Sequence, residues 1–458
     1  MSLFRLRGLV YPFLLFLNPA AEAAPLRVGS FEVDASPPVG SLLAYDPMTG
    51  VQTPLSCRGI VLVGAGRPIV LCAVDWIGLS NDGHLAFRQG LAKGAETEVS
   101  RVAVHTLHQH DAPRCDFSAE TLLAANGLQG AGFNVGLARR VIAAAGVAGA
   151  EAIESAQPVT HLGMGKGTVK MVASNRRILG EDGKVQHMRF TATRDAEIRA
   201  FPAGTIDPVL RLISFWNEDA PLAVLTYYAT HPQSYYRTGL ANPDFPGLAR
   251  NGREKETKVP HIHFNGAGGN IGAGKWNDGA KENRQVLANR VNAGMKLAWE
   301  NTIKVTLSAG EVGWKVEPVL LPVASHMKEE TLAAIVEMES EPAEKRYLAA
   351  KNLTWFRRCK NKEPIELSCL NLKDARVLHL PGELFVEYQL NAQQARPDLF
   401  VALAAYGDYA PGYICTAAAY SEGGYEPSTL ASLVDPSVEK ILTAAIRKLL
   451  DAPAGATP

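Results

Sequence analysis

Residues 102–113 read VAVHTLHQHDAP and place three histidines, His105, His108 and His110, at the end of a short apolar run. The whole chain of 458 residues has only 11 histidines. Neutral imidazole is the commonest metal ligand, and crowded imidazoles need partners for their nitrogens. In an extended strand His108 and His110 would point to the same side. The segment favours a metal site, but one such cluster supplies too few ligands, and exposed histidines at a strand end are the alternative.

The N-terminus has the pattern of an export signal. Two arginines precede an apolar run at 9–17 that is too short to span a bilayer, and the small residues at 21–23 suit cleavage. We therefore predict a signal peptide over residues 1–23 and an exported chain, periplasmic or secreted, that starts near Ala24. No later stretch is apolar for long enough to form a transmembrane helix, so we expect no membrane anchor.

The charge and cysteine content exclude other classes of protein. Lys plus Arg equals Asp plus Glu at 46 each, which leaves no electrostatic footprint for nucleic acid. Six cysteines in a chain of this length do not make a disulfide scaffold. Cys359 and Cys369 are close enough in sequence to pair in an oxidising compartment, and the sequence leaves that pairing open.

Strand-like and helix-like runs are mixed along the whole chain. Short apolar or β-branched runs predict strands at 58–63, 68–76, 99–105, 209–215, 222–228, 304–307 and 375–380. Apolar residues three and four apart predict helices at 136–155, 280–300, 329–351, 383–395 and 438–450. We find no internal repeat. The mixture predicts an α/β or α+β fold, with layered mixed β-sheets flanked by helices in a single large catalytic domain, and segment 327–362 as a possible helical insertion.

Five polar motifs stand at the ends of predicted strands, where functional sites are commonly built. They are HQHDAP at 108–113, YYATHPQS at 227–234, FNGAGGN at 264–270, LPGE at 380–383 and YGDYAPGYICT at 406–416. Each motif alone is weak evidence for a functional site. His231 before a proline is common at a strand end, and Glu383 is explained by a favourable charge in the first turn of a helix. The Gly-rich motif lacks the spacing and the lysine of nucleotide-binding loops, so nucleotide binding is not expected.

Taken in order, the motifs resemble those of the neutral/alkaline non-lysosomal ceramidase family, in its N-terminal catalytic domain. The resemblance runs from about Val28 to about Leu430. Six motifs of the family match positions of this chain in the same order. They are His-x-His-Ser-Gly-Pro (here 108–113), Asn-Arg-Ser (175–177), Ala-Val-His (229–231), Asp-Asn-x-Gly (244–247), Pro-Gly-Glu (381–383) and a closing series of tyrosine motifs (409–416, 420 and 425–426).

The resemblance implies one zinc ion held by four residues, His108, His231, Glu383 and Tyr413. Two imidazoles, a carboxylate and a weakly held phenolate leave room for water, as a catalytic rather than a structural zinc requires. It also implies a hydrolase in which activated water attacks the amide or ester bond of an N-acyl or O-acyl substrate, either a small molecule or a lipid-like compound.

Five further residues are candidates for catalysis under the same resemblance. His110 would orient a group or protonate it beside the metal, and Asp111 would act as a base or as a partner for an imidazole. Arg176, Tyr425 and Asn265 are candidates to stabilise a developing oxyanion.

The chain departs from the family at two places. Gly266 stands where the family has the Ser of a Gln-Ser-Asn-x-Gly-Asp loop, and the sequence leaves no residues for the family's C-terminal β-sandwich. We therefore expect residues 24–458 to form the catalytic domain alone. Two alternatives stay open: a secreted, non-catalytic binding protein with a structural zinc, and a deacylase or esterase that acts on sugar polymers.

Overall fold

The computed structural model describes residues 25–453, so the predicted signal peptide lies outside the described residues. The predicted α+β class is confirmed, because mixed β-sheets are flanked by helices. Within residues 25–453, no helix combines the length and the apolar character needed to cross a bilayer.

Three large sheets repeat one order of elements. Each has three antiparallel strands, then a helix that crosses to a fourth strand parallel to the third, and then a second helix. The first unit, residues 27–154, contains β1 (Arg27–Asp34), β3 (Ser56–Gly64), β4 (Gly66–Val74), α1 (Asp82–Gly94), β6 (Val102–Thr106) and α3 (Val135–Glu154), and β8 (Gln157–Pro158) adds to its edge.

The second and third units follow the same plan. The second, residues 161–300, contains β9 (His161–Thr168), β13 (Val209–Asn217), β14 (Ala220–Tyr228), α5 (Asp244–Thr257), β16 (His261–Asn265) and α6 (Asn283–Glu300), with β18 (Ile303–Thr306) at its edge. The third, residues 312–449, contains β19 (Val312–Val319), β20 (Ile365–Leu372), β21 (Ala375–His379), α9 (Val386–Ala395), β23 (Phe400–Ala404) and α11 (Val438–Leu449).

Short elements complete the described chain. Two-stranded ribbons pair β2 (Gly50–Val51) with β15 (Leu240–Ala241), β5 (Gly78–Leu79) with β7 (Arg114–Cys115), β10 (Ser174–Asn175) with β17 (Ile271–Gly272), β11 (Arg177–Leu179) with β12 (Val185–Met188), and β22 (Glu383–Leu384) with β24 (Tyr413–Ile414). The remaining helices are α2 (Phe117–Ala124), α4 (Ala196–Ala200), α7 (Glu329–Glu337), α8 (Ala343–Lys360) and α10 (Ala417–Glu422).

The three sheets pack their inner faces against one another. Ile60, Phe264 and Val377, one from each unit, belong to this shared apolar core. The outer faces are covered by the helix pairs α1 and α3, α5 and α6, and α9 and α11. Because both faces are buried, the central strands read as nearly continuous apolar runs.

Glycines let the covering helices lie directly on two of the sheets. A Cβ atom on Gly29 of β1 would stand 1.8 Å from the carbonyl oxygen of Ala152 in α3. A Cβ atom on Gly165 of β9 would stand 2.0 Å from the carbonyl oxygen of Ala298 in α6. Any larger residue at these equivalent places would push helix and sheet apart.

Several sequence predictions need correction. The strand predicted at 99–105 begins with a 3₁₀ turn at Val99–Arg101. The helix predicted at 329–351 is two helices, α7 and α8, because Pro342 cannot lie inside a helix and instead caps the second one. This α7–α8 hairpin lies between the paired strands β19 and β20. The helix predicted from Glu383 begins at Val386.

Two further sequence-based interpretations are also revised. A repeat does exist, as three units whose element order is shared although no repeat is visible in their sequences. All six cysteines are free thiols, so the pairing of Cys359 with Cys369 is not made. The Cys369 thiol lies in β20 and contacts the Asn371 amide oxygen at 3.4 Å.

Candidate metal centre

The fourth strands of the three units, β6, β16 and β23, end at one place. The Thr106 amide donates to the Tyr406 carbonyl, and the Ala405 amide donates to the Asn265 carbonyl, each at 2.9 Å. The Asn265 side-chain amide donates to the Leu107 carbonyl at 2.5 Å and completes the ring of contacts. Loops that leave these strands therefore start from a fixed base, which suits a precisely positioned site.

His108 lies in a loop and not in a strand, which corrects the expected strand geometry. It has a left-handed backbone with φ +64°, and its ring stacks on Tyr406 with centroids 4.5 Å apart. Its Nδ1 lies 2.6 Å from the Ile77 carbonyl oxygen. Since a carbonyl can only accept, Nδ1 carries a proton, and in the neutral ring Nε2 then has a free lone pair. This Nε2 atom lies 3.4 Å from Oε2 of Glu383.

His231 follows β14 and connects Glu383 to His110. Its Nδ1 lies 3.6 Å from Oε2 of Glu383, and its Nε2 lies 3.1 Å from Nε2 of His110. The other nitrogen of His110, Nδ1, contacts the Tyr45 hydroxyl at 3.0 Å and the Gln233 side-chain amide at 2.9 Å. Both edges of the His110 ring are thus occupied by polar partners.

Glu383 and Tyr413 come together through a strand pairing of two residues. They are register partners in the parallel ribbon of β22 and β24. The Tyr409 hydroxyl donates to Oε1 of Glu383 at 2.5 Å. Nη1 of Arg176 donates to the Tyr413 hydroxyl at 3.0 Å. One carboxylate oxygen is therefore fixed by a tyrosine, while the other faces the two imidazoles.

Three buried ligand atoms converge here without hydrogen-bond partners among the described residues. They are Nε2 of His108, Nδ1 of His231 and Oε2 of Glu383. Buried polar atoms are nearly always satisfied, so three orphans facing one point indicate a missing partner. Nitrogen and carboxylate donors are the set that zinc and similar divalent ions prefer. The residues present fit such an ion.

The three imidazoles also form a group by themselves. Ligand nitrogens of His108, His110 and His231 all lie within 4.8 Å of one another, so this group could hold a metal ion. Burial, followed by the neighbouring His108 and Arg176 side chains, lowers the pKa of His110 and of His231 well below the usual value. Both rings are kept neutral, which is the form that binds metal.

Electrostatics also favour an ionised carboxylate at Glu383. Burial alone would raise its pKa, but the neighbouring His108 and the hydroxyls of Tyr409 and Tyr413 hold it below the usual value. Burial raises the pKa of Tyr413 well above its ordinary range, although the Arg176 guanidinium opposes that shift. The site therefore combines a carboxylate with neutral imidazoles and a protonated phenol.

Arg176 is held between the centre and a buried carboxylate. Its Nε lies 3.2 Å from Oε1 of Glu426, which is fully buried and also pairs with Arg177 at 3.2 Å. The exposed Tyr425 ring packs edge-on against Tyr413, with centroids 5.7 Å apart. Arg176 and Tyr425 are thus brought to the same side of the centre, next to Tyr413.

Two predicted catalytic residues, Asp111 and Asn265, have contacts that fix loops around the centre. The Asp111 carboxylate accepts the Thr238 hydroxyl at 2.7 Å and lies 3.5 Å from the Arg284 guanidinium. The Asn265 side-chain amide donates to the loop that leads to His108. Both residues hold loops in place, and the structure gives neither a contact with the three orphan atoms.

The Gly-rich loop packs by its backbone and has no room for a side chain at Gly266. A Cβ atom there would stand 2.3 Å from the side-chain oxygen of Gln389, which accepts the Ala267 amide at 3.0 Å. A Cβ atom on Gly269 would stand 2.4 Å from the carbonyl oxygen of Glu383. The absence of the family's Ser at position 266 is thus matched by tight local packing.

A cavity of about 530 Å³ opens onto the centre. His108, His110, Glu383, Tyr409 and Tyr413 form its base, and the α7–α8 hairpin forms one wall. Its apolar lining residues include Leu332, Ile335, Leu348 and Leu430, which stand among charged residues such as Glu344, Lys345 and Lys351. Leu430 is 85 % exposed at the mouth. A cavity of this size, with both apolar and polar lining residues, suits a small molecule.

Sequence reasoning missed several residues of the centre. Tyr409 and Tyr406 lie inside a quoted motif, and Gln233 lies two residues after His231, so attention to the whole motif would have found them. Glu426 follows Tyr425 directly. Tyr45 has no signal in the sequence, because its contact with His110 spans 65 residues and no motif surrounds it.

Comparison with known proteins supports the fold. No protein-family model matches the chain, and no curated protein matches its sequence. Among solved structures, a ceramidase described as complexed with C2 has a TM-score of 0.66 at 16 % identity, with 95 % of this chain and 77 % of that chain covered. The neutral ceramidase from Pseudomonas aeruginosa has a TM-score of 0.65 at 17 % identity, with 95 % and 76 % covered. The resemblance predicted from the motifs is therefore confirmed at the level of architecture, and the chain has the fold of the neutral ceramidases.

Proposed function

We propose that this protein is a distant member of the neutral ceramidase family and a zinc-dependent hydrolase of amide or ester bonds in acylated substrates. The ligands would be Nε2 of His108, Nδ1 of His231, Oε2 of Glu383 and the Tyr413 hydroxyl. The observation that carries the proposal is the convergence of three buried, unpartnered ligand atoms at the base of a cavity. When bound, zinc would supply Lewis acidity to a scissile carbonyl and to an attacking water.

His110 would position His231. With Nδ1 of His231 directed to the metal, its other ring nitrogen, Nε2, is the atom that contacts Nε2 of His110, 3.1 Å away. The Tyr45 hydroxyl and the Gln233 side chain hold the far edge of the His110 ring. Contacts of this kind fix the orientation of a ligating imidazole and raise its basicity.

Arg176 and Tyr425 would stabilise negative charge on the carbonyl oxygen. Arg176 already donates to the Tyr413 hydroxyl, so its guanidinium stands beside the place where a carbonyl would approach. Donors aimed at a developing oxyanion lower the barrier more than they strengthen substrate binding. We assign Asp111 and Asn265 to the positioning of the site loops, because the Asp111 carboxylate and the Asn265 amide nitrogen are engaged there.

Metal analysis combined with activity assays tests the proposal. The purified protein, reconstituted with zinc, would be analysed by inductively coupled plasma spectrometry and assayed with chromogenic N-acyl and O-acyl substrates. We expect one zinc per chain and hydrolysis, with both lost in Glu383→Gln. The matched control is Glu344→Gln, a carboxylate that lines the same cavity but pairs with Arg114, and this variant should keep its zinc. Wild-type metal content and activity in Glu383→Gln would refute the ligand assignment.

The tight packing at Gly266 favours one alternative, a secreted binding protein in which zinc has a structural role. The family's Ser hydroxyl is missing, and a side chain at this position would meet Gln389. Stoichiometric zinc without hydrolysis of any acyl substrate would support that alternative. The open cavity over the ligands argues for the enzyme, because structural zinc sites are closed.

We also propose that residues 24–458 act as one catalytic domain and that residues 1–23 direct export. Support comes from the sequence pattern of the N-terminus. N-terminal sequencing of the protein from the periplasm or the culture medium of an expressing bacterium should give a start near Ala24. An intact Met1 in the cytoplasmic fraction would contradict export.

A further inference from the structure

The cavity over the candidate centre contains three cationic side chains, and two of them are neutralised. The Arg114 guanidinium forms a two-pronged pair with Glu344, at 3.1 and 2.7 Å. The Lys345 ammonium pairs with Glu341 at 2.5 Å. The third is Lys351, on the face of α8 that lines the cavity.

Lys351 differs because its ammonium has neither an ion pair nor a hydrogen bond within residues 25–453. Its Nζ lies 5.1 Å from the centre of the Tyr409 ring. Burial lowers its pKa, although the carboxylates of Asp116 and Glu383 act in the opposite direction. The Lys351 side chain is half-buried, and its ammonium has no close counterion, so the cavity is suited to a ligand that supplies one.

The position of Lys351 relates it directly to the candidate chemistry. The ring of Tyr409 separates the Lys351 ammonium from Glu383, since the hydroxyl of this tyrosine donates to the Glu383 carboxylate. A group bound to Lys351 would therefore stand about one tyrosine ring away from an acyl carbonyl at the metal. Such a spacing fits a short molecule that carries both groups.

We propose that Lys351 is a specificity-determining residue that binds an anionic group, a carboxylate or a phosphate, on the acylated substrate. The inference rests on the proposed function and deepens it by naming the substrate class, an N-acyl or O-acyl compound with a negative charge close to the scissile bond. The acyl chain would pack against the apolar lining residues of the cavity, such as Leu348 and Leu430. A neutral acylated amino alcohol would leave the ammonium without a counterion.

Binding of hydrolysis-resistant analogues tests this inference separately from turnover. We would use ketones in which a CH₂ group replaces the amide N–H, with the same dodecanoyl chain and one of three ends: carboxylate, phosphate monoester or uncharged carboxamide. Affinities would be measured by isothermal titration calorimetry on the zinc-reconstituted full chain. The variants are Lys351→Met, which keeps an apolar stem, Lys351→Arg, which keeps the charge, and the control Lys345→Met.

We expect at least one anionic analogue to bind wild type roughly tenfold to a hundredfold more tightly than the carboxamide, the usual range for a charge-assisted hydrogen bond. The preference should vanish in Lys351→Met and persist in Lys351→Arg and Lys345→Met. The analogue that binds more tightly shows whether the anionic group of the substrate is a carboxylate or a phosphate. Equal affinity for all three analogues, no binding of any analogue, or an anion preference that survives in Lys351→Met would overturn the inference. An anion preference without hydrolysis of the matching amides would contradict only the proposed function.

Discussion

Replacing Tyr409 by Phe should weaken metal binding without unfolding the protein. The Tyr409 hydroxyl donates to Oε1 of Glu383 at 2.5 Å, and the other oxygen of this carboxylate faces His108 and His231. Without that donor the carboxylate loses its fixed orientation and one of the contacts that keep it ionised. The Phe side chain preserves the packing of the ring.

The size of the effect follows from the kind of contact. A hydrogen bond to a charged group contributes about 1.5–3 kcal/mol, and loss of a contact that orients a metal ligand costs about 10–100-fold in affinity. The two estimates agree, because tenfold in affinity is about 1.4 kcal/mol. We therefore expect the zinc dissociation constant of Tyr409→Phe to rise by about 10–100-fold.

Competition with a chromophoric chelator at fixed pH measures this constant. The matched control is Tyr388→Phe, which removes another buried tyrosine hydroxyl, one that donates to the Cys415 carbonyl at 3.0 Å. That variant should lose about 1 kcal/mol of stability and keep wild-type zinc affinity. If Tyr409→Phe also bound zinc as tightly as wild type, Glu383 would not be a ligand that Tyr409 orients.

Three further predictions concern stability. Burial raises the pKa of Asp116 to about 7 from 3.8, so the folded state keeps a proton that the unfolded chain releases. The stabilisation is fully present below about pH 4 and is lost as the pH rises through about 7, so the free energy of unfolding measured in urea should fall over that window more steeply in wild type than in Asp116→Asn. Arg250→Met leaves the buried Asp75 carboxylate without the partner that contacts it at 2.7 and 2.9 Å, and it should cost about 3–5 kcal/mol by chemical denaturation. The double variant with Asp75→Asn should recover much of this loss, and no recovery would show that the charge is not the cause. Gly266→Ser should destabilise the protein by about 1–3 kcal/mol, seen as a lower melting temperature, because the new Cβ meets Gln389. An unchanged melting temperature would show that the Gln389 side chain moves aside without cost.

The sequence predicted the interiors of the large sheets well, for a simple physical reason. Strands such as β4 and β14 are buried on most of their length, so their apolar content is a local property of the chain. The order of polar motifs at strand ends, together with the family resemblance, led to His108, His231, Glu383 and Tyr413 before any geometry was known.

Other features depend on contacts between distant residues and could not be predicted locally. Pro381-Gly382-Glu383 reads as the start of a helix, yet Glu383 pairs in a strand with Tyr413, thirty positions later. His108 combines a left-handed backbone with a contact between its ring and the carbonyl of Ile77, a residue 31 positions earlier. The three units share the order of their helices and strands and the faces that those elements bury. Comparing the sequences of the units does not reveal either property.

If the proposed metal binds, the threefold arrangement makes its presence a sign that all three units are assembled. His108 comes from the first unit, His231 from the second, and Glu383 from the third, so no fragment that lacks one unit can present the proposed ligand set. Bound zinc would therefore indicate that all three units are packed together. Zinc would also stabilise the folded protein, by an amount that grows with the free zinc concentration. At about a thousandfold above the dissociation constant that contribution is about 4 kcal/mol. In a cell compartment poor in zinc the protein would consequently have a lower free energy of unfolding. Proteases could then degrade the metal-free protein before it accumulates.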